Sequence, residues 1–216
     1  MIDREPVDIM GVIAFPNPNK DERVIRFIDS EYHTLFTIKD GESIVITRFD
    51  GEKMVFPCKY IDDCHVCVGN SAYHICEFAE MQECNGNTYV PSAPKISDEI
   101  CTYEIYQIPA TADVDYYFRS YAAAKGKLQS ADYRRSYAGM YAKENSLEHL
   151  WTKHNSDHRP FARRMRSLSV SDVVVLTQAG KKTAYYTDSV GFKEVPEFLT
   201  QKHQEKNKHR ERGIER

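Results

Sequence analysis

Long apolar runs are missing from this chain of 216 residues. The longest purely aliphatic stretch is Val173–Leu176, far short of the ~20 residues that a membrane-spanning helix requires. The opening MIDREPVDIMG carries acids where a signal peptide has basic residues followed by an apolar segment. Neither membrane residence nor secretion by that route is expected. Glycine and proline are scarce, at 10 and 9 residues, which excludes a collagenous or low-complexity chain. There is no P-loop, no nucleophile elbow and no H-E-x-x-H metal site, no second Cys-x-x-Cys, and no internal repeat. What remains is 41% apolar and 28% charged, the composition of a soluble globular protein of one or two compact units.

A net charge of −3 hides an asymmetry. Residues 1–110 hold 9 bases against 19 acids, −10, and residues 111–216 hold 20 bases against 13 acids, +7. Two units with different surfaces are expected. Either the opposite fields dock the halves, or the basic half offers a face to nucleic acid or an acidic partner.

The six cysteines, at 58, 64, 67, 76, 84 and 101, all fall in the first half. With no export signal they are read as free thiols rather than a disulfide framework. Cys64 and Cys67 have the gap with which two thiolates grip zinc, and Cys64, Cys67, His74 and Cys76 form an alternative metal set, with Cys58 and Cys84 in reserve. The favoured reading is structural, with Cys76 a small buried hydrophobe. No metal or cofactor is expected.

Hairpin chemistry organises the region after Thr34. LFTI, SIVITRF and KMVFPCKYI read as three strands joined by turns at Asp40-Gly41 and Asp50-Gly51. A helix is predicted over Ser71–Cys84, with Tyr73, Cys76, Phe78 or Ala79, and Met81 toward the core and Asn85-Gly86 as its stop. The stretch from Tyr89 to Asp98, with Pro91 and Pro94, is the best boundary. Beyond it CTYEIYQI alternates as a strand, and Asp115–Ala124 reads as a helix ending near Gly126. Tyr133, Tyr137 and Tyr141 lie on a helix face or in a strand. Ser146 caps a helix, SLSVSDVVVL and KKTAYYTDSVGF form strands around Gln178–Lys181, and Pro196 opens a short final helix. The fold class is α+β in two small units. These are a hairpin-rich antiparallel sheet with one helix over 1–90 and a second α+β unit over 103–199, with a linker over 91–102 and a basic, fraying tail over 200–216.

Two constellations carry candidate chemistry. His149, His154 and His158 cluster beside Lys153, and such groups can exchange protons and stabilise developing charge in RNA cleavage. The plainer reading is a helix end with exposed or capping histidines. The second constellation is Arg159, Phe161, Arg163, Arg164 and Arg166. Guanidinium groups there could bind phosphate and the ring could stack on a base, or an acidic protein surface could be the ligand. The alternative is a solvated basic loop.

SLSVSDVVVL over 167–176, AYYTDSVGFKEVPEFL over 184–199, and LEHLWTKHN over 147–155 with Asp157-His158 resemble the YodL-like domain, over roughly 103–199. Leu35-Phe36-Thr37, Thr47-Arg48-Phe49-Asp50-Gly51 and His74-Ile75-Cys76-Glu77-Phe78-Ala79-Glu80 resemble a companion domain of conjugative-element and phage proteins. The resemblance implies an accessory part of mobile-element proteins, a group with small counter-defence relatives that include anti-CRISPR proteins. It therefore implies a non-catalytic protein of the bacterial cytoplasm that binds and inhibits a host defence complex, most specifically a type II CRISPR RNA-guided nuclease. The partner would be the nuclease or its guide RNA. Two alternatives stay open: a metal-independent ribonuclease that trims guide RNA, and a scaffold docking to mobile-element or cytoskeletal proteins.

Overall fold

The computed structural model describes residues 7–9, 12–14, 23–93, 100–143 and 145–201. The basic tail from 202 onward and residues 94–99 of the linker lie outside the described residues. The architecture is α+β, built on antiparallel sheets. Strands β1 (Val7–Ile9) and β2 (Val12–Ala14) pair with each other, as do β3 (Val24–Ile28) and β4 (Thr34–Lys39). A five-stranded sheet of order β8-β7-β6-β5-β9 follows. It comprises β5 (Ser43–Thr47), β6 (Lys53–Tyr60), β7 (His65–Val68), β8 (Ser71–His74) and β9 (Thr88–Pro91), with helix α1 (Ile75–Asn85) between β8 and β9.

Asp50-Gly51 joins a true hairpin, with Val45 opposite Val55. The turn at Asp40-Gly41 does something else: β4 pairs with β3 and β5 with β6 and β9, so the chain changes sheets there instead of folding back on itself. Gly41 N–H donates to the Cys58 carbonyl and Cys58 N–H to the Glu42 carbonyl, which ties the crossover to β6. The expected helix over 71–84 begins late. Gly69-Asn70 turns β7 into β8, and Ser71–His74 pair with His65–Val68, so ladder bonds claim those four residues. Helix α1 then starts at Ile75, with the His74 ring nitrogen accepting from Cys76 N–H, and closes on Gly86. Its buried side chains are Ile75, Phe78, Ala79, Gln82 and Glu83, with Cys76 and Met81 partly buried beside them. Phe78 meets Phe27, Tyr73 and Tyr89 edge-to-face.

The second sheet has order β11-β10-β12-β13-β14. Its strands are β10 (Cys101–Gln107), β11 (Arg134–Tyr141), β12 (Val173–Gln178), β13 (Lys181–Thr187) and β14 (Phe192–Glu194). The Val173-Val174-Val175 run is continuous rather than alternating because both faces of β12 are covered. Val173 and Val175 pack with Tyr186, Val195 and Phe198, while Val174 packs with Tyr103, Tyr137 and Leu150. Residues 167–172, expected as strand, form a turn that leads into β12. The two-residue loop Ala179-Gly180 has both φ values positive, at 50° and 74°, which is the turn whose twist suits a tight hairpin.

Residues 131–142 are largely strand. A register shift opposite Ile105 and Tyr106 leaves Ser136 unpaired, and this bulge changes which face the chain presents. Tyr137 and Tyr141 therefore join one core and Tyr133 the other. The helix expected over Asp115–Ala124 shrinks to α2 (Tyr121–Ala124). Phe118 is left-handed at φ 56°, with its N–H bound to Ser171 Oγ, and Tyr121 N–H goes to Asp188. Long-range side-chain acceptors thus take the amides that a helix would have used. A final helix, α4, covers 196–201.

Gly139 in β11 marks the closest approach in this sheet. A Cβ there would fall 2.6 Å from Tyr137 Cε1 and 3.1 Å from Tyr103 Cε1, and both rings are fully buried. Gly139→Ala is expected to cost ~1–3 kcal/mol through overpacking. Urea unfolding measures it, and an unchanged midpoint would mean that the rings move aside freely.

Candidate functional site

Helix α3 (Leu147–Asn155) is two-faced. Ser146 Oγ accepts from His149 N–H and caps it. Leu147, Leu150, Trp151 and His154 turn toward the second core, at the i, i+3, i+4, i+7 spacing of one helical stripe. His149, Thr152, Lys153 and Ser156 share the opposite stripe and line a cleft of about 470 Å³ whose far wall is Ser30, Glu31, Glu80, Glu83 and Cys84. The cleft therefore lies between α3 on one side and α1 with the β3–β4 turn on the other.

Its polar contacts cross from one wall to the other. Lys153 Nζ donates to Glu83 Oε1 at 2.7 Å and to Ser30 Oγ at 3.3 Å, and both partners of the ion pair are nearly buried, at 10% and 11% exposed. His149 Nε2 lies 2.6 Å from Glu31 Oε2, off the line that would make a hydrogen bond. Around the same corner, Asp29 Oδ2 stands 3.1 Å from His33 Nδ1. Asp29, Glu31 and His33 bring ligand-type atoms within 4.8 Å of one another. Sequence reading passed over this group. Its signal was the alternation Asp29-x-Glu31-x-His33 in a turn between two strands.

The three candidate histidines separate. His149 and His158 line the cleft. His154 is fully buried on the other stripe, with the Tyr103 hydroxyl hydrogen-bonded to its Nε2 at 2.8 Å and the Tyr137 ring edge-on at 4.8 Å. Burial, aided by the charges of Lys153 and Arg159, pushes its pKa down to about 3, so the imidazole is neutral.

The arginine segment also divides. Phe161 is buried at φ 62° against Phe49 and Tyr137. Arg166 grips Asp172 with both terminal nitrogens and stacks over Phe118 and Tyr117. Asp172 is fully buried and also accepts from Gln107 and from Ser169 N–H. Burial pushes its pKa up to about 6 against the pull of Arg166 and these donors. Arg159 is half-buried, whereas Arg163 and Arg164 are exposed. Arg164 covers the Phe161 ring at 5.5 Å and rims a second depression of about 440 Å³, floored by Ile46, Met54, Phe56 and Tyr73.

The alternative zinc set does not converge. Cys64 is exposed, Cys67 Sγ turns to the Gly69 carbonyl, and His74 Nδ1 is spent on Cys76 N–H. All six cysteines are free thiols. Among the described residues, no helix is long and apolar enough to cross a membrane. Neither a curated protein nor a solved structure matches the chain. Residues 102–198 match the family model of the YodL-like domain, a span that starts in β10, ends in α4 and takes in β11 to β14, so the stretch that forms the second sheet and the α3 wall of the cleft is similar to a YodL-like domain.

Proposed function

We propose that this protein is a non-catalytic accessory factor of a bacterial mobile element that binds and blocks a host defence complex, in its most specific form a type II CRISPR RNA-guided nuclease. The observation that carries a binding role is the 161–166 knuckle. Arg164 and Met165 N–H close one turn onto the Phe161 carbonyl, and Phe161, Met165 and Arg166 are locked into the interior or an ion pair. Arg163 and Arg164 are thereby held outward with little further ordering cost, and a pre-organised basic pair of this kind suits phosphate or an acidic surface. The depression beside Arg164, lined by Ile46, Met54, Phe56 and Tyr73 together with the polar Arg48, Asp50, Gln82, Asn85 and Asn87, offers a seat for a polar partner side chain. The family resemblance supplies the choice of target, which is an analogy rather than a property of the site.

Binding is favoured over cleavage. His154 is buried and neutral and Lys153 is paired with Glu83, so of the four candidate groups for cleavage only His149 and His158 line the cleft outside that ion pair.

Co-purification with the nuclease and its guide, together with a DNA-cleavage assay, tests the proposal. Arg163→Ala with Arg164→Ala should weaken binding and flatten its salt dependence by about one to two in log–log slope. Stability should stay within ~0.5 kcal/mol. No complex at high excess of the protein sinks the reading, and shortened guide RNA after incubation replaces it with the trimming enzyme.

A further inference from the structure

The turn from Tyr116 to Arg119 holds an aromatic ring in solvent at a conformational cost. Tyr116 is buried, its hydroxyl donating to Asp132, and Tyr117 is half-buried. Phe118 then takes a left-handed φ of 56°, a conformation that strains a bulky residue. Its N–H donates to the Oγ of Ser171, itself buried at φ 80°. No burial of the ring offsets the strain, because Phe118 is 51% exposed.

The ring is nonetheless fixed. Tyr117 stacks on one of its faces at 4.0 Å and 23°, and the Arg166 guanidinium stands 4.9 Å from Phe118 and 5.6 Å from Tyr117. Those separations put the guanidinium beside the stacked pair, since from the far face of Phe118 it would stand much farther from Tyr117. The far face is therefore open. Arg166 itself is committed to Asp172, but Arg119 and Arg134 are exposed and form no ion pair among the described residues. Arg134 shares with Tyr117 and Arg166 a depression of about 220 Å³, walled by Ile108 and Pro109, whose lining holds two arginines and no acid.

We propose that the 117–119 knuckle, with Arg134, binds a single-stranded nucleic acid: one base stacks on the open face of Phe118, and Arg119 and Arg134 take the flanking phosphates. A bare aromatic face beside unpaired guanidinium groups is the chemistry that recognises an unstacked base on a charged backbone. In a duplex that base is already stacked on its neighbours and cannot reach the ring. An acidic peptide would use the two cations but has no need of the exposed ring. Because the backbone and Tyr117 already hold Phe118 in place, little ordering cost remains to be met on binding. The site lies in a different turn from Arg163 and Arg164 and does not depend on the target proposed above.

Fluorescence anisotropy of the full-length protein with a labelled oligoadenylate, as RNA and as DNA, tests the site with no nuclease present. Saturable binding of at least one strand is expected, and a preference for RNA would place the 2′-hydroxyl in the contact. Phe118→Gly removes the ring and relieves the left-handed strain, so it should fold and yet bind roughly tenfold more weakly. Phe118→Trp should retain binding, whereas Phe118→Leu, apolar but without a π-face, should lose it as the glycine variant does. Arg119→Ala and Arg134→Ala should each lower the log–log salt slope by ~0.7. A strand lacking its bases should bind the wild type as weakly as the intact strand binds Phe118→Gly, which tests stacking without any variant. Absence of saturable binding by both strands overturns the proposal, as does equal affinity for intact and base-free strands or for wild type and Phe118→Gly. Poly-glutamate that binds where neither strand does overturns it in favour of an acidic protein partner.

Discussion

Arg166→Ala is expected to cost ~3–5 kcal/mol at pH 7.5, the range for breaking a buried ion pair by removing one partner. Asp172 has no exposed surface and Arg166 is about a quarter exposed, at 27%. Truncation therefore leaves the carboxylate with only Gln107 and Ser169 N–H. The pair also anchors the turn before β12 and holds Phe118 and Tyr117 beneath the guanidinium. The cost should shrink in acid. With its pKa at about 6, Asp172 takes up a proton as the pH falls below 6, and a neutral carboxyl needs no cation. Arg166→Met with Asp172→Leu should cost less than Arg166→Ala alone, because no buried charge is stranded. Urea unfolding at pH 7.5 and pH 5 measures all three. A loss under about 1 kcal/mol for Arg166→Ala at pH 7.5 would return this arginine to the pool of surface charges.

His154 carries the other large effect, with the opposite pH sense. Its folded pKa is about 3 against an ordinary 6.5. Between those values the unfolded chain holds a proton that the folded chain refuses, so stability falls as the pH drops from about 6.5 toward 3. The slope is up to ~1.4 kcal/mol per pH unit, or ~4–5 kcal/mol across the window. Asp172 opposes it: its folded pKa lies above the ordinary 3.8, so the folded chain holds the extra proton between about 4 and 6 and gains stability as the pH falls through that range. In the wild type the two slopes nearly cancel there. His154→Gln removes the histidine's share and keeps a polar partner for Tyr103. Relative to this variant, the wild type should lose stability steadily below pH 6.5. Parallel pH profiles for the two proteins would show that the imidazole titrates freely.

Local chemistry made much of the fold legible. Asp50-Gly51 could be read as a hairpin because a tight, twisted turn requires those residue types. Ser146 could be read as a cap because its hydroxyl takes an amide that the first helical turn leaves unbonded. The stripe Leu147, Leu150, Trp151, His154 was equally present in the spacing, but the histidines were grouped by proximity in sequence, and burial of His154 separates it from His149 and Lys153. The four ladder-forming residues of β8 were misread because Gly69-Asn70 was not weighed as a turn, and a short apolar stretch suits either period.

By itself the sequence determined the α+β class, the strand over Val173–Leu176, the unbridged cysteines and the likeness to a YodL-like domain. All of these depend on periodicity, turn chemistry or composition within a short window. Only the tertiary structure decided which of the arginines are free. Arg163 and Arg166 are alike in sequence, but Arg166 meets Asp172 where the chain turns into β12, and Arg163 meets solvent. Only the tertiary structure brought His149 to Glu31 and its ring edge-on to His33. A pattern tells which side of a helix is apolar, whereas the partner facing its polar side is set by how α3 and the β3–β4 turn meet across the cleft. That meeting depends on long-range contacts such as Lys153 with Glu83, and on a one-residue bulge at Ser136 that turns Tyr137 and Tyr133 to opposite faces. Neither leaves a mark in local sequence, because both are settled by the free energy of the assembled core.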